Sequence, residues 1–316
     1  MTTSALPAAL PATHPVGVGT PGTPDTMLDA IRARRPALVR GLTAAWEASN
    51  WTFDSLRAVA GDRAVTVLLD LPQRGGVLAG GQESFQRQMP FGEFLDRAEQ
   101  PGPPCYLGYT RPAELIPGYE RAFDFGPMTP PGPEPTDTRL WIGSAGTCPG
   151  LHSDLKDNVF AQIRGRKRVI LVPFRQTHLV YPFVDNIVNS QVDPEHPDPQ
   201  RFPRFGSARV LTCVVGPGDV LFIPKGWWHY LRSESPSISI NHWFGPQVPA
   251  RVFLALLVRL GPRYLGRTVA DMVRYSLLGQ RYQKDFFFTP PSTGERLYNL
   301  IRHGDFSRDN DPAADA

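Results

Sequence analysis

Seven short apolar runs fill the middle of this 316-residue chain, and turn residues cut each one off before it reaches the length of a stable helix. They lie at 140–142, 158–163, 167–172, 208–215, 219–223, 228–232 and 237–244. Runs this short and this closely spaced, with no helical period between them, pair as antiparallel strands and fold into a sandwich or barrel. Just before them stand ten prolines between Pro101 and Pro135. Proline lacks a backbone N–H and clashes with the preceding helical turn, so that stretch is expected to run over the surface without long regular elements.

The flanks read differently. Helices are expected at 26–34, at 52–59 (Thr52 as N-cap, Gly61 beyond the end) and at 90–98, with strands at 64–69 and 106–109. After Pro249 the period turns helical, over 250–260 and 267–278. No internal repeat is visible. The expected organisation is a mobile tail at 1–25, one catalytic-type domain at 26–249 with its barrel core at about 104–244, a helical region at 250–306 and a disordered tail at 307–316. The first 25 residues hold five prolines and no apolar core of a signal peptide. Three cysteines, Cys105, Cys148 and Cys213, are too few and too scattered for a disulfide framework, so a reducing cytoplasm is expected. A net charge of +3 predicts no affinity for nucleic acid. The longest apolar run, 252–258, falls far short of the roughly 20 residues of a membrane span.

The candidate chemistry centres on His152-Ser153-Asp154 and, 77 residues after His152, His229. Residues two apart on a strand face the same way, so the His152 imidazole and the Asp154 carboxylate can reach one ion, with His229 as third ligand. Two histidines and one carboxylate leave part of an octahedral sphere open, the arrangement of non-haem Fe(II) oxygenases. An H-x-D alone recurs by chance, and most histidines are ordinary core or surface residues.

Context raises its weight. His152-Ser-Asp154, Asn158, Arg164-Gly-Arg-Lys167, Tyr181-Pro182, Gly216-Pro-Gly-Asp219 and Ile223-Pro-Lys-Gly-Trp-Trp-His229 occur in that order. This ordered set resembles the Jumonji-C and cupin-like (cupin 8) Fe(II)/2-oxoglutarate-dependent dioxygenases. Within that family its motifs are most similar to those of the asparaginyl hydroxylase that inhibits hypoxia-inducible factor. The resemblance is dense over about 140–244 and loose elsewhere. It implies a mainly β fold with helical decoration: a double-stranded β-helix, the jelly-roll cupin-like barrel, with N-terminal α/β elements and C-terminal helices. It also implies Fe(II) on His152, Asp154 and His229, with 2-oxoglutarate as co-substrate, its distal carboxylate on Lys167, and Tyr106, Asn158 and Asn241 around it. O2 would be consumed, succinate and CO2 released, and a C–H bond hydroxylated on a peptide, a protein side chain or an amino-acid-derived molecule. Lys167 is one of four lysines against 29 arginines, so a compact ammonium at that position is itself informative.

One position departs from the family. Many relatives carry Thr three residues before the first histidine; this chain has Pro149, with Thr147 and Cys148 ahead of it, so either of these substitutes or the contact is missing and 2-oxoglutarate affinity is lower. Other features have plainer readings. Trp227-Trp228 are expected in the core, His242 should face away from Asn241, and His178, His196 and His303 lack partners at metal-ligand spacing. The 252–258 run covers the barrel or forms a homodimer contact. Two alternatives remain at this level: a cupin isomerase or co-substrate-free dioxygenase, disfavoured because Asp154 stands where those proteins carry a second His, and a non-catalytic metal-binding module of the same fold.

Overall fold

The computed structural model describes residues 11–19, 22–72, 82–280, 282 and 291–306. Among these, fourteen strands form two sheets. In chain order they are β1 (Thr13–Pro15), β2 (Gly17–Gly19), β3 (Ala37–Val39), β4 (Ala64–Leu68), β5 (Gln86–Pro90), β6 (Tyr106–Thr110) and β7 (Asp137–Gly143). Then come β8 (His152–Ser153), β9 (Asp157–Arg164), β10 (Lys167–Val172), β11 (Val210–Val215), β12 (Val220–Ile223), β13 (Trp228–Ser233) and β14 (Ser237–Phe244). One sheet has the order β1-β11-β10-β13-β8, the other β2-β3-β12-β9-β14-β7-β6-β4-β5. From β7 to β14 every pairing is antiparallel, as the short runs require. Mostly β sheets with helices at both ends are the architecture of a cupin-like jelly roll.

Strand periodicity sorts the side chains. On β9, Val159, Ala161 and Ile163 face outward into a large core under the N-terminal helices, while Phe160 packs between the sheets with Val169, Leu171, Leu221 and Leu231. Helix Phe53–Ala60 begins at Thr52, whose side chain accepts from Ser55 N while the Ser55 side chain answers the Thr52 N–H. Such a reciprocal cap satisfies two N-terminal donors and fixes where the helix starts. Beyond β6, the 101–135 stretch holds only short helical turns and the single-turn helix Pro112–Leu115, which agrees with its prolines.

The expectation of a mobile tail over 1–25 needs correcting for residues 11–19 and 22–25. β1 runs parallel to β11 and β2 parallel to β3, so one arm adds an edge strand to each sheet. Val16 between them is buried between the sheets. Burying that valine and pairing two edges supply the ordering that the arm's polar composition concealed. Helix Pro24–Ala33 then starts earlier than expected, capped by the Thr23 side chain. Residues 1–10 and 307–316 lie outside the described residues.

The C-terminal region is helical, as Ala250–Leu260, Pro262–Asp271, a π-helical turn Met272–Leu277 and Thr293–His303. No helix among the described residues is long and apolar enough to cross a membrane.

Candidate metal centre

β13 carries the site. It pairs on one side with β10, bringing His229 opposite Leu171, and on the other with β8, bringing His229 directly opposite His152. Asp154 follows β8 immediately, and its carbonyl accepts from Gly226 N at 2.7 Å in the turn that precedes His229. Gly226 has φ of +77°, the left-handed region that glycine enters without strain. The three ligand atoms of His152, Asp154 and His229 lie within 4.8 Å of one another, and His152, Asp154 and His229 are the group of this kind found among the described residues.

The hydrogen bonds set these groups in the forms a metal needs. His152 Nδ1 lies 3.0 Å from Gly150 O, and His229 Nδ1 lies 3.1 Å from Trp227 O. A carbonyl only accepts, so in each ring the proton sits on Nδ1 and Nε2 is left as the electron-pair donor. Burial, reinforced by neighbouring His229, pushes His152 down to about 4 against the opposing pull of Asp154, so this ring is neutral at physiological pH. Burial alone would raise the Asp154 carboxyl. The His229 and His152 rings, with hydrogen bonds from Trp243 and Asn158, instead hold it below its ordinary value. Two imidazoles that each turn Nε2 toward the carboxylate, with that carboxylate ionised, fit a divalent ion of borderline hardness, Fe(II) included.

Asp154 is fixed through a single oxygen. Its Oδ2 accepts from Trp243 Nε1 at 2.7 Å and Asn158 Nδ2 at 3.1 Å. Asn158 Oδ1 in turn accepts from Asn241 Nδ2 at 3.2 Å. Trp243 was not legible as a site residue, yet it lies two positions from Asn241 on β14 and so shares its face. We expect Trp243→Phe to keep the ring's packing and lose the donor. Metal affinity should then fall by about tenfold to a hundredfold, as supporting contacts of this kind typically dictate. A metal titration giving the parent affinity would contradict that role.

The cavity above the triad measures about 710 Å³ and is lined by Tyr106, Trp141, Lys167, Asn241 and Trp243 as well as the ligands. The Arg164-Gly165-Arg166 turn sets Lys167 at the start of β10. A Cβ on Gly165 would sit 2.1 Å from Pro236 O, so the tight turn requires glycine. Lys167 is 3% exposed; its Nζ donates to Ser239 Oγ at 2.9 Å and lies 5.3 and 5.8 Å from the ring centres of Phe160 and Tyr106. Burial pushes its ammonium down to about 7. Among the described residues no carboxylate pairs with it. Ser239 was also missed, although it is two residues from Asn241 on the same strand face.

Other expected residues fall in different places. Asn158 holds Asp154 from behind instead of lining the cavity. Thr147 is buried, its hydroxyl directed at Ser144 O (2.8 Å) and Cys105 O (3.2 Å), and it is absent from the cavity wall, whereas Pro149 is part of it. His242 points to the opposite face, against Phe125 and Thr138. Trp228 is in the core with its Nε1 on Thr177 Oγ1.

The jelly roll and this histidine, carboxylate and histidine centre define a cupin-type protein. A cupin-like domain matches residues 25–249, so the chain belongs to the cupin-like domain family. One curated relative, in Drosophila melanogaster, is named Jumonji C domain-containing protein 5. Lysine-specific demethylase 8 of Xenopus tropicalis is 34% identical over 222 residues, 67% of this chain and 48% of that protein. Lysine-specific demethylase JMJ30 of Arabidopsis thaliana is 30% identical over 66% of this chain and 49% of its own length. HSPB1-associated protein 1 of Rattus norvegicus is 30% identical over 71% and 51%. The chain thus spans about half the length of the curated relatives it matches.

Proposed function

We propose that the chain is an Fe(II)- and 2-oxoglutarate-dependent oxygenase that acts on a C–H bond of a protein or peptide side chain. One observation carries this reading: the unpaired, buried Lys167 amine faces the same cavity as the metal triad. A metal-binding scaffold has no need of a buried amine there, and burying one without an anion is costly. A dicarboxylate answers both ends, chelating the ion with one end and meeting Lys167 and Ser239 with the other.

The residues would divide the work as follows. His152, Asp154 and His229 would hold Fe(II) on one side and leave the cavity side open. Lys167 and Ser239 would hold the distal carboxylate of 2-oxoglutarate, and Asn241 would offer its amide beside it. The Tyr106, Phe160, Trp141 and Leu231 side chains exclude water from that end. With O2 and 2-oxoglutarate, the bound iron supplies the oxidation of the substrate, coupled to loss of CO2 and formation of succinate. The demethylase names of two relatives fit a protein substrate, because oxidation of an N-methyl C–H bond is the same chemistry as hydroxylation of a side chain. Mass spectrometry of peptide libraries turned over with Fe(II) and 2-oxoglutarate separates the two. A gain of one oxygen marks hydroxylation, and loss of a methyl group marks demethylation. Failure to form succinate with any peptide would count against the reading.

Self-association through the C-terminal helices belongs to the same proposal. Leu265, Val269, Val273 and Leu277 recur every four residues and are all exposed, with Leu254, Val258 and Ile301 on the neighbouring helices. Contiguous apolar patches are rare on soluble monomers. We expect light scattering to give a dimer mass and Leu265→Glu/Val269→Glu to give a monomer. A monomeric parent at all concentrations would refute it.

A further inference from the structure

A second cleft lies on the other side of β14 from the metal cavity. It measures about 550 Å³. Phe123 and His242 are the partly exposed aromatic rings of its wall, with Phe125 and Phe244 buried behind them, and among the described residues Asp124 and Glu134 are its only charged lining groups. No Lys or Arg lines it, in a chain that carries 33 basic residues. The His242 ring lies flat on Phe125 at 4.8 Å and 8°, and its Nδ1 meets Thr138 Oγ1 at 2.7 Å. Burial pushes His242 down to about 4, although Asp137 and Asp124 pull the other way, so the ring adds no positive charge to the cleft at neutral pH. Aromatic faces and carboxylates together favour one kind of guest: a cation on an apolar stem.

The cleft also adjoins the metal cavity. Thr136 lines both. His242 follows Asn241 and precedes Trp243, which line the metal cavity. The next carboxylate along the wall, Asp137, is engaged by Arg139 Nε at 2.7 Å and Tyr109 Oη at 3.3 Å. Lys156 Nζ donates to Pro135 O at 2.9 Å and lines the metal cavity, so it marks the end of the anionic stretch.

We propose that this cleft is a docking site for a lysine or arginine side chain of the peptide substrate, flanking the residue presented to the metal. The inference rests on the peptide-substrate reading above. Its occupant is identified by charge complementarity and by continuity with the metal cavity.

The test measures fluorescence anisotropy of labelled (Gly-Lys)4, (Gly-Arg)4 and (Gly-Glu)4 peptides with the full chain at low salt. The cationic peptides should bind and the acidic one should not. Asp124→Asn/Glu134→Gln should weaken cationic binding by about tenfold, and Phe123→Ala by a few-fold. Asp62→Asn/Glu93→Gln, an equal change of charge at exposed positions on the N-terminal helical side, should leave it unchanged. No cationic binding by the parent, or equal losses in the two double variants, would overturn the proposal. His152→Ala keeps the cleft and removes a metal ligand, so it should bind the cationic peptides as the parent does. Retained peptide binding with no succinate formation by the parent would sink the oxygenase reading and leave the docking site standing.

Discussion

Replacing Asp154 with alanine is expected to abolish metal binding at this site, with an affinity loss beyond the hundredfold or so that supporting contacts alone produce. Two imidazoles would remain, with no anionic ligand to balance a dication. The freed Trp243 and Asn158 donors would also lose their acceptor. Asp154→Glu should fail as well, because Oδ2 is already anchored by two donors and an added methylene moves the carboxylate out of position. Isothermal titration with Fe(II) under anaerobic conditions, or with Mn(II) as a stable stand-in, reads both variants. Parent-like affinity in Asp154→Ala would remove the triad from the account.

Lys167→Ala should leave metal affinity nearly unchanged and weaken 2-oxoglutarate binding by two to three orders of magnitude. Removing one partner of a buried ion pair costs about 3 to 5 kcal/mol, and about 1.4 kcal/mol corresponds to each tenfold. Lys167→Arg should fall between, since a planar fork replaces a compact donor beside Ser239. The same residue predicts a pH signature. Its amine is pushed down to about 7 by burial, below the ordinary lysine value, so above pH 7 the empty site holds mostly the neutral form. Anion binding restores the ammonium, so at pH 8 the complex should take up close to one proton as it forms. Calorimetry in buffers of different ionisation enthalpy measures that uptake, and Lys167→Ala should lose it. For the empty protein the sign is fixed too. A lysine depressed on folding makes stability rise with pH from about 7 toward its unfolded value, and Lys167→Met should flatten that rise.

Much of this was legible because turns bracket the central strands. β10 and β14 begin and end where the sequence breaks place them, and helix Ala250–Leu260 does so too. Strand parity then fixes the faces, so His229, Lys167 and Asn241 turn toward the cavity and His242 turns away. What escaped was structure made by pairing alone. β1, β2 and β3 have three residues each, too short for any period to register, and β5 reads Gln-Arg-Gln-Met-Pro. Its strand exists because β4 lies beside it, Leu68 opposite Gln86. Helix Thr293–His303 did carry a signal, Ser292 and Glu295 in a reciprocal cap, which the sequence reading passed over. At the site, Ser239 and Trp243 were one step of parity away from Asn241. Thr147 was offered as a substitute for the threonine that relatives carry at the position of Pro149, and its hydroxyl is turned to two backbone carbonyls.

The central claim is that the triad and Lys167 serve one co-substrate. It is tested most directly by titrating 2-oxoglutarate into the anaerobic Fe(II)-loaded chain while following the visible charge-transfer absorption of an iron-chelated 2-keto acid. The account predicts that one equivalent saturates the band, that the band is lost in Asp154→Ala, and that Lys167→Ala needs far more 2-oxoglutarate to reach it. A parent chain that binds Fe(II) and shows no such band at any 2-oxoglutarate concentration would contradict it.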